Sequence, residues 1–120
     1  AKYYVADIGL RYFILGTKQA DMGHILENIV YLELIRRGYE VHIGKVGDAE
    51  VDFIAIGAEG EEYYQVSQTV LEEQTLKREL SSLDAIKDHN PKYLLTMDYT
   101  PLTSYNGIKQ VNVLEWLLKK

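Results

Sequence analysis

The sequence predicts a single α/β domain built on a central mixed β-sheet with helices on both faces. Three observations lead there. Two segments, about Met22–Arg37 and Gln74–Lys87, repeat apolar residues at helical spacing. Between them lie three runs with strand character, Tyr39–Ile43, Glu50–Ile56 and Tyr63–Thr69, separated by glycine-bearing turns. After the second helix come a compact apolar run, Tyr93–Met97, and another strand-like run, Ile108–Val113. With 120 residues, 47% of them hydrophobic and 26% charged, the chain suits one compact core.

Each element has a local reason. Lys2–Gly16 mixes aromatic and aliphatic residues around Asp7 and Gly9; Tyr3, Tyr4 and Val5 suit an extended piece, and Asp7 suits the cap of a helical turn through Leu15. Thr17–Asp21 reads as a polar linker. In the first long helix Met22, Ile25, Leu26 and Ile29 share a face, Asp21 is the expected N-cap, Arg36 and Arg37 complement the last turn, and Gly38 is the stop. The three strands that follow, joined by short turns, predict an antiparallel meander. In the second helix Leu76, Leu80, Leu83 and Ile86 form the apolar face, and Pro91 follows it. Tyr93–Met97 then reads as a buried strand, and a loop containing Pro101 and Asn106-Gly107 leads to the strand Ile108–Val113 and a short closing helix, Leu114–Lys119. The expected order is α-β-β-β-α-β-β-α. A strand reached from another through a helix pairs parallel to it by a right-handed crossover, so the sheet is mixed.

Composition narrows the function. Thirteen Lys and Arg against eighteen Asp and Glu leave a net charge of −5, so the chain lacks the global positive field that draws proteins to phosphate, although a local basic patch would still serve. Cysteine is absent, which removes thiol catalysis, disulfides and cysteine-ligated zinc and fits a reducing, cytoplasmic setting. No apolar run has the length of a membrane span, and the first residues carry no signal pattern. The chain begins at Ala1 without an initiator Met. A longer parent is therefore expected, with residues 1–20 linking an upstream domain to a domain over residues 21–120.

Four residues form a candidate site. Glu27 lies on the first helix, Asp52 within the apolar run Val51–Ile56, and Gln65 and Ser67 on the third strand, where alternation puts them on one face. Aspartate inside such a run is costly unless it is partnered or sits at a strand end. Burial with poor pairing would raise its pKa. The spacing Glu27…Gly38-Tyr39…Val51-Asp52…Gln65-Val66-Ser67 resembles the PD-(D/E)xK nuclease pattern, with spacing similar to that of archaeal Holliday-junction resolvases. Almost the whole chain also resembles the C-terminal domain of unknown function found behind an AAA-type ATPase module. Matching stretches include Tyr3-Tyr4-Val5-Ala6-Asp7-Ile8-Gly9-Leu10, Leu26-Glu27-Asn28, Glu33-Leu34-Ile35-Arg36-Arg37-Gly38-Tyr39, Glu50-Val51-Asp52-Phe53, Arg78-Glu79-Leu80, Pro91-Lys92-Tyr93 and Asn106-Gly107-Ile108. The resemblance implies a restriction-endonuclease-like fold. In the nuclease pattern a helix Glu, a strand Asp and a strand Glu-x-Lys bind magnesium and align water against a phosphodiester.

Two departures set the expected mechanism. Gln65 stands where the acidic ligand belongs, offering a neutral carbonyl and two N–H donors instead of a hard anionic oxygen. Ser67 stands where the lysine belongs and cannot neutralise phosphate charge. A phosphodiester site has little besides metal and charge to accelerate it. The first expectation is therefore a non-catalytic module of an AAA-type ATPase: no catalytic residue, no cofactor in this chain, and ATP bound in the upstream part. Its partners would be that ATPase domain, with nucleic acid or a second copy as further candidates. The alternative is a magnesium-dependent DNA or RNA nuclease, with Asp52 and Glu27 as ligands, in which Lys45, Lys77 or Arg78 replaces the lysine and Glu50 or Glu33 the lost carboxylate. No G-x-x-x-x-G-K-[ST] loop occurs, so the chain itself is not the ATPase. His24, His42 and His89 have no ligand spacing, the paired basic residues read as solvated, and Tyr63, Tyr64, Tyr93 and Tyr99 as core or sheet-face packing.

Overall fold

The computed structural model describes residues 19–99 and 103–119. The extended piece and helical turn expected within residues 1–16, and most of the expected linker to residue 20, lie outside the described residues. The first helix, α1 (Gln19–Arg36), begins three residues before Met22. Asp21 is thus inside the helix instead of capping it, and Gln19 and Ala20 belong to the helix instead of a linker. Both are good helix formers, so the helix runs back past its first buried residue. The remaining elements are β1 (Glu40–Val46), β2 (Ala49–Gly57), β3 (Gly60–Val66), α2 (Glu73–Asp84), β4 (Lys92–Thr96), β5 (Thr103–Tyr105), β6 (Ile108–Asn112) and α3 (Val113–Leu118).

One mixed sheet has the order β1-β2-β3-β4-β6-β5. The expected meander is there: β1, β2 and β3 pair antiparallel, and β3 pairs parallel with β4 after the α2 crossover. The element order is corrected at β5. The stretch read as a loop holds a short strand antiparallel to β6, with Tyr105 opposite Ile108. Asn106 (φ 51°) and Gly107 (φ 85°) supply the two positive φ values that a tight two-residue hairpin turn demands.

Two cores flank the sheet. On one face Met22, Leu26, Val30 and Leu34, spaced by four along α1, pack with Phe53, Ala55, Tyr64, Val66 and Leu95, and with Val113 and Trp116 of α3. On the other face Leu83 of α2, supported by Leu76 and Leu80, packs with Val51, Tyr63, Leu94 and Ile108. Arg37 ties the ends of the first layer together. Its Nη2 donates to the Trp116 and Lys119 carbonyl oxygens, both at 2.6 Å, and its guanidinium lies 4.4 Å from the Trp116 ring centre. No described helix is long and apolar enough to cross a membrane.

One irregularity positions the site. Gly44 pairs with Val51 but His42 pairs with Ile54, so two residues of β2, Asp52 and Phe53, stand opposite Ile43 of β1. This β-bulge reverses the alternation: Val51 belongs to the α2 core, whereas Phe53 and Ala55 belong to the α1 core. The β2–β3 ladder also stops here, its last pair in this direction being Phe53 with Tyr64. Asp52 therefore sits at a bulge and at a fork between strands.

Candidate functional site

The fork is closed by side chains. The Asp52 backbone N–H donates to Gln65 Oε1 at 2.8 Å, and the Val66 N–H donates to Asp52 Oδ2 at 2.8 Å. Each side chain satisfies a main-chain group released where the ladder ends, as buried polar groups require. Gln65 is 8% exposed. Its amide also acts on the Glu79 carboxylate of α2, pulling its pKa down against burial, and both side chains border one recess between the sheet and the helix beneath it.

Electrostatics at the fork are unfavourable to charge. Burial pushes the Asp52 carboxyl up to about 6, against the pull of the Val66 N–H, and the Glu27 and Glu79 charges push the same way. Burial also raises Glu79, offset by the Gln65 amide and the neighbouring Arg78 guanidinium. Glu27, 39% exposed, makes a long contact of 3.8 Å with His24. Three carboxylates from α1, β2 and α2 thus feel one another.

Two recesses meet at Asp52. One, of about 480 Å³, is bordered by Lys45, Glu50, Asp52, Gln65, Arg78 and Glu79. The other, of about 430 Å³, is bordered by His24, Glu27, Tyr31, Ile43, Asp52 and Phe53. Glu27, Asp52 and Gln65 are accordingly brought to one region, with Asp52 common to both recesses. Ser67 is not. It follows the end of β3 instead of lying on it, as the sequence had suggested, and its hydroxyl donates to the Thr69 carbonyl oxygen at 3.1 Å. Of the basic residues considered as replacements, Lys45 and Arg78 border the recess, whereas Lys77 pairs with Glu73 at 3.3 Å on exposed helix surface. Glu33 binds Arg36 and Arg37, both at 2.7 Å, and those hydrogen bonds, Arg36 first, hold its carboxyl below the usual range against the effect of burial.

Glu79 went unnoticed as a site residue in the sequence. Its signal was its place three residues after Leu76 and one before Leu80, on the flank of the apolar face, where a long side chain reaches back to the sheet.

For a hard divalent cation the donor set fits poorly. The Gln65 carbonyl oxygen is spent on the Asp52 N–H, and one Asp52 oxygen on the Val66 N–H. Among the described residues, no three His, Asp or Glu side chains converge closely enough to hold a metal ion. What the arrangement does chemically is to brace two diverging strands with a carboxylate kept partly out of water.

No family model matches the chain, and no solved structure matches it. A Haemophilus influenzae protein described as an uncharacterized protein is 42% identical over 119 residues, which are 99% of this chain and 29% of that protein. The chain thus spans less than a third of the length of that relative.

Proposed function

We propose that the chain is a non-catalytic, restriction-endonuclease-like module of a longer AAA-type ATPase, working through protein or nucleic-acid contacts, with ATP bound in the upstream part. The hydrogen bonding at the fork is the observation that carries this reading. Asp52 and Gln65, which a nuclease would direct at magnesium, are turned onto main-chain N–H groups, and Ser67 is engaged elsewhere. The length of the Haemophilus relative leaves room for a second domain beside a region like this one. A second reading, a divalent-metal-dependent nuclease, draws support from Lys45 and Arg78, which border the same recess as Asp52 and Gln65.

The test is cleavage of double-stranded, branched and single-stranded DNA and of RNA, in magnesium and in manganese, by the wild-type chain and by Asp52→Ala. Equal background in both proteins is expected; cleavage abolished by Asp52→Ala would establish the second reading. A parent chain with no phosphate-binding loop before this module would refute the ATPase connection.

A further inference from the structure

Among the described residues β1 is hydrogen-bonded on one side only, as an end strand of the sheet. Its seven residues give an edge about 23 Å long at the usual rise per residue. β5, at the other edge, has three residues and is too short to template much. Proteins commonly protect a long edge with proline, charged side chains, a β-bulge or cover. β1 carries Glu40 and Lys45 toward its ends and faces the bulge of β2, but its centre is uncharged. β1 has no proline, and its middle residue, Ile43, is 74% exposed. Glu40 is already paired with His42 at 2.7 Å.

We propose that this edge pairs antiparallel with the β1 of a second copy about a two-fold axis through Ile43. An unpaired edge takes an extended strand because its free N–H and C=O groups demand a ladder partner. Symmetry then limits the registers, since a two-fold axis normal to the sheet places one residue opposite itself. Centring on Ile43 puts Ile43 against its copy, His42 against Gly44, Val41 against Lys45 and Glu40 against Val46, so that no like charges face each other. Centring on Gly44 would set the exposed Ile43 against Lys45, and centring on Lys45 would set lysine against lysine. The favoured register pairs the exposed isoleucines and gives His42 room over a glycine. Because Ile43 borders the Asp52–Glu27 recess, the second copy would also become a wall of that recess. One strand edge buries little area, so the dimer is weak and concentration-dependent.

Sedimentation equilibrium of the 120-residue chain from about 10 µM to about 1 mM is expected to show a monomer–dimer equilibrium. Ile43→Lys should weaken it at least tenfold while leaving the thermal melt unchanged. The chain has no cysteine, so Ile43→Cys supplies a lone thiol that should cross-link copies under oxidation much faster than a lone thiol at Glu59→Cys, on the β2–β3 turn. A monomer at every concentration overturns the proposal. So does a dimer that is indifferent to Ile43→Lys and cross-links equally through both positions, because it would use another surface. Protection of the β1 amides in a monomer also overturns it, since another part of the same chain would then occupy the edge.

Discussion

Replacing Asp52 with Asn removes a charge from the fork and keeps an oxygen to accept the Val66 N–H. The native carboxyl is raised from 3.8 to about 6, a little over two units, so the ceiling on the electrostatic cost of ionised Asp52 is about 3 kcal/mol. Asp52 is partly exposed, and water screens some of that cost, leaving about 1–2 kcal/mol. The sign follows from proton binding. Between pH 4 and pH 6 the folded chain holds the Asp52 proton more tightly than the unfolded chain, so this group makes stability fall as pH rises through that window. The cost is complete above pH 6 and absent below about pH 4. Asp52→Asn is therefore expected to be more stable than wild type at pH 7.5, raising the urea midpoint by about 0.5–1 M for a chain of this size, with the gap closing toward pH 4. Urea unfolding of both proteins at the two pH values reads it directly. An Asn variant destabilised by about 1 kcal/mol or more at pH 7.5, by a margin that shrinks as the pH falls below about 4, would mean that ionised Asp52 is a net stabiliser and would refute this reasoning.

Other perturbations follow from the same contacts. Gln65→Ala leaves the Asp52 N–H without its acceptor and Glu79 without its amide donor, and should cost about 1–3 kcal/mol in chemical denaturation. Gln65→Glu should destabilise the chain at neutral pH by placing a fourth carboxylate beside Glu27, Asp52 and Glu79, with the loss shrinking as pH falls. Arg37→Ala removes hydrogen bonds to the Trp116 carbonyl of α3 and to the Lys119 carbonyl just after it, the contact over Trp116 and one partner of Glu33; a loss of about 2–4 kcal/mol with a shift in Trp116 fluorescence is expected, and an unchanged spectrum would show that α3 is held without it.

Much of the architecture was legible because strong periodicity leaves few choices. Leu76, Leu80 and Leu83 in α2 fix which helix stripe meets a sheet, and turns of few residues dictate the meander. In α1 the spacing points to Met22, Ile25, Leu26 and Ile29, of which Met22 and Leu26 are buried, and the stripe continues through Val30 and Leu34 instead of Ile29. Ends were less legible. The helical signal of α2 extended to Lys87, but the helix closes at Asp84 with Ala85 as its cap, and Ile86 is buried from the following turn. β5 was missed because three residues carry almost no periodicity, although Asn106-Gly107 is a strong hairpin signal. At the site, Asp52 was identified by its carboxylate within an apolar run and Gln65 by its strand position and the nuclease-like spacing, and a raised Asp52 carboxyl was expected if it were buried and poorly paired. The β-bulge was invisible, since no residue in Val51-Asp52-Phe53 announces one. The bulge lies where the β2–β3 ladder stops, beside the carboxylate that accepts from the Val66 N–H.

The most direct measurement is a manganese titration followed through the amide resonances of Asp52, Gln65 and Val66. With the Gln65 oxygen and one Asp52 oxygen committed to main-chain donors, no selective paramagnetic broadening at these amides is predicted up to millimolar metal. Broadening that centres on them, saturates at or below about 1 mM and vanishes in Asp52→Ala would show that the fork opens to hold a cation after all.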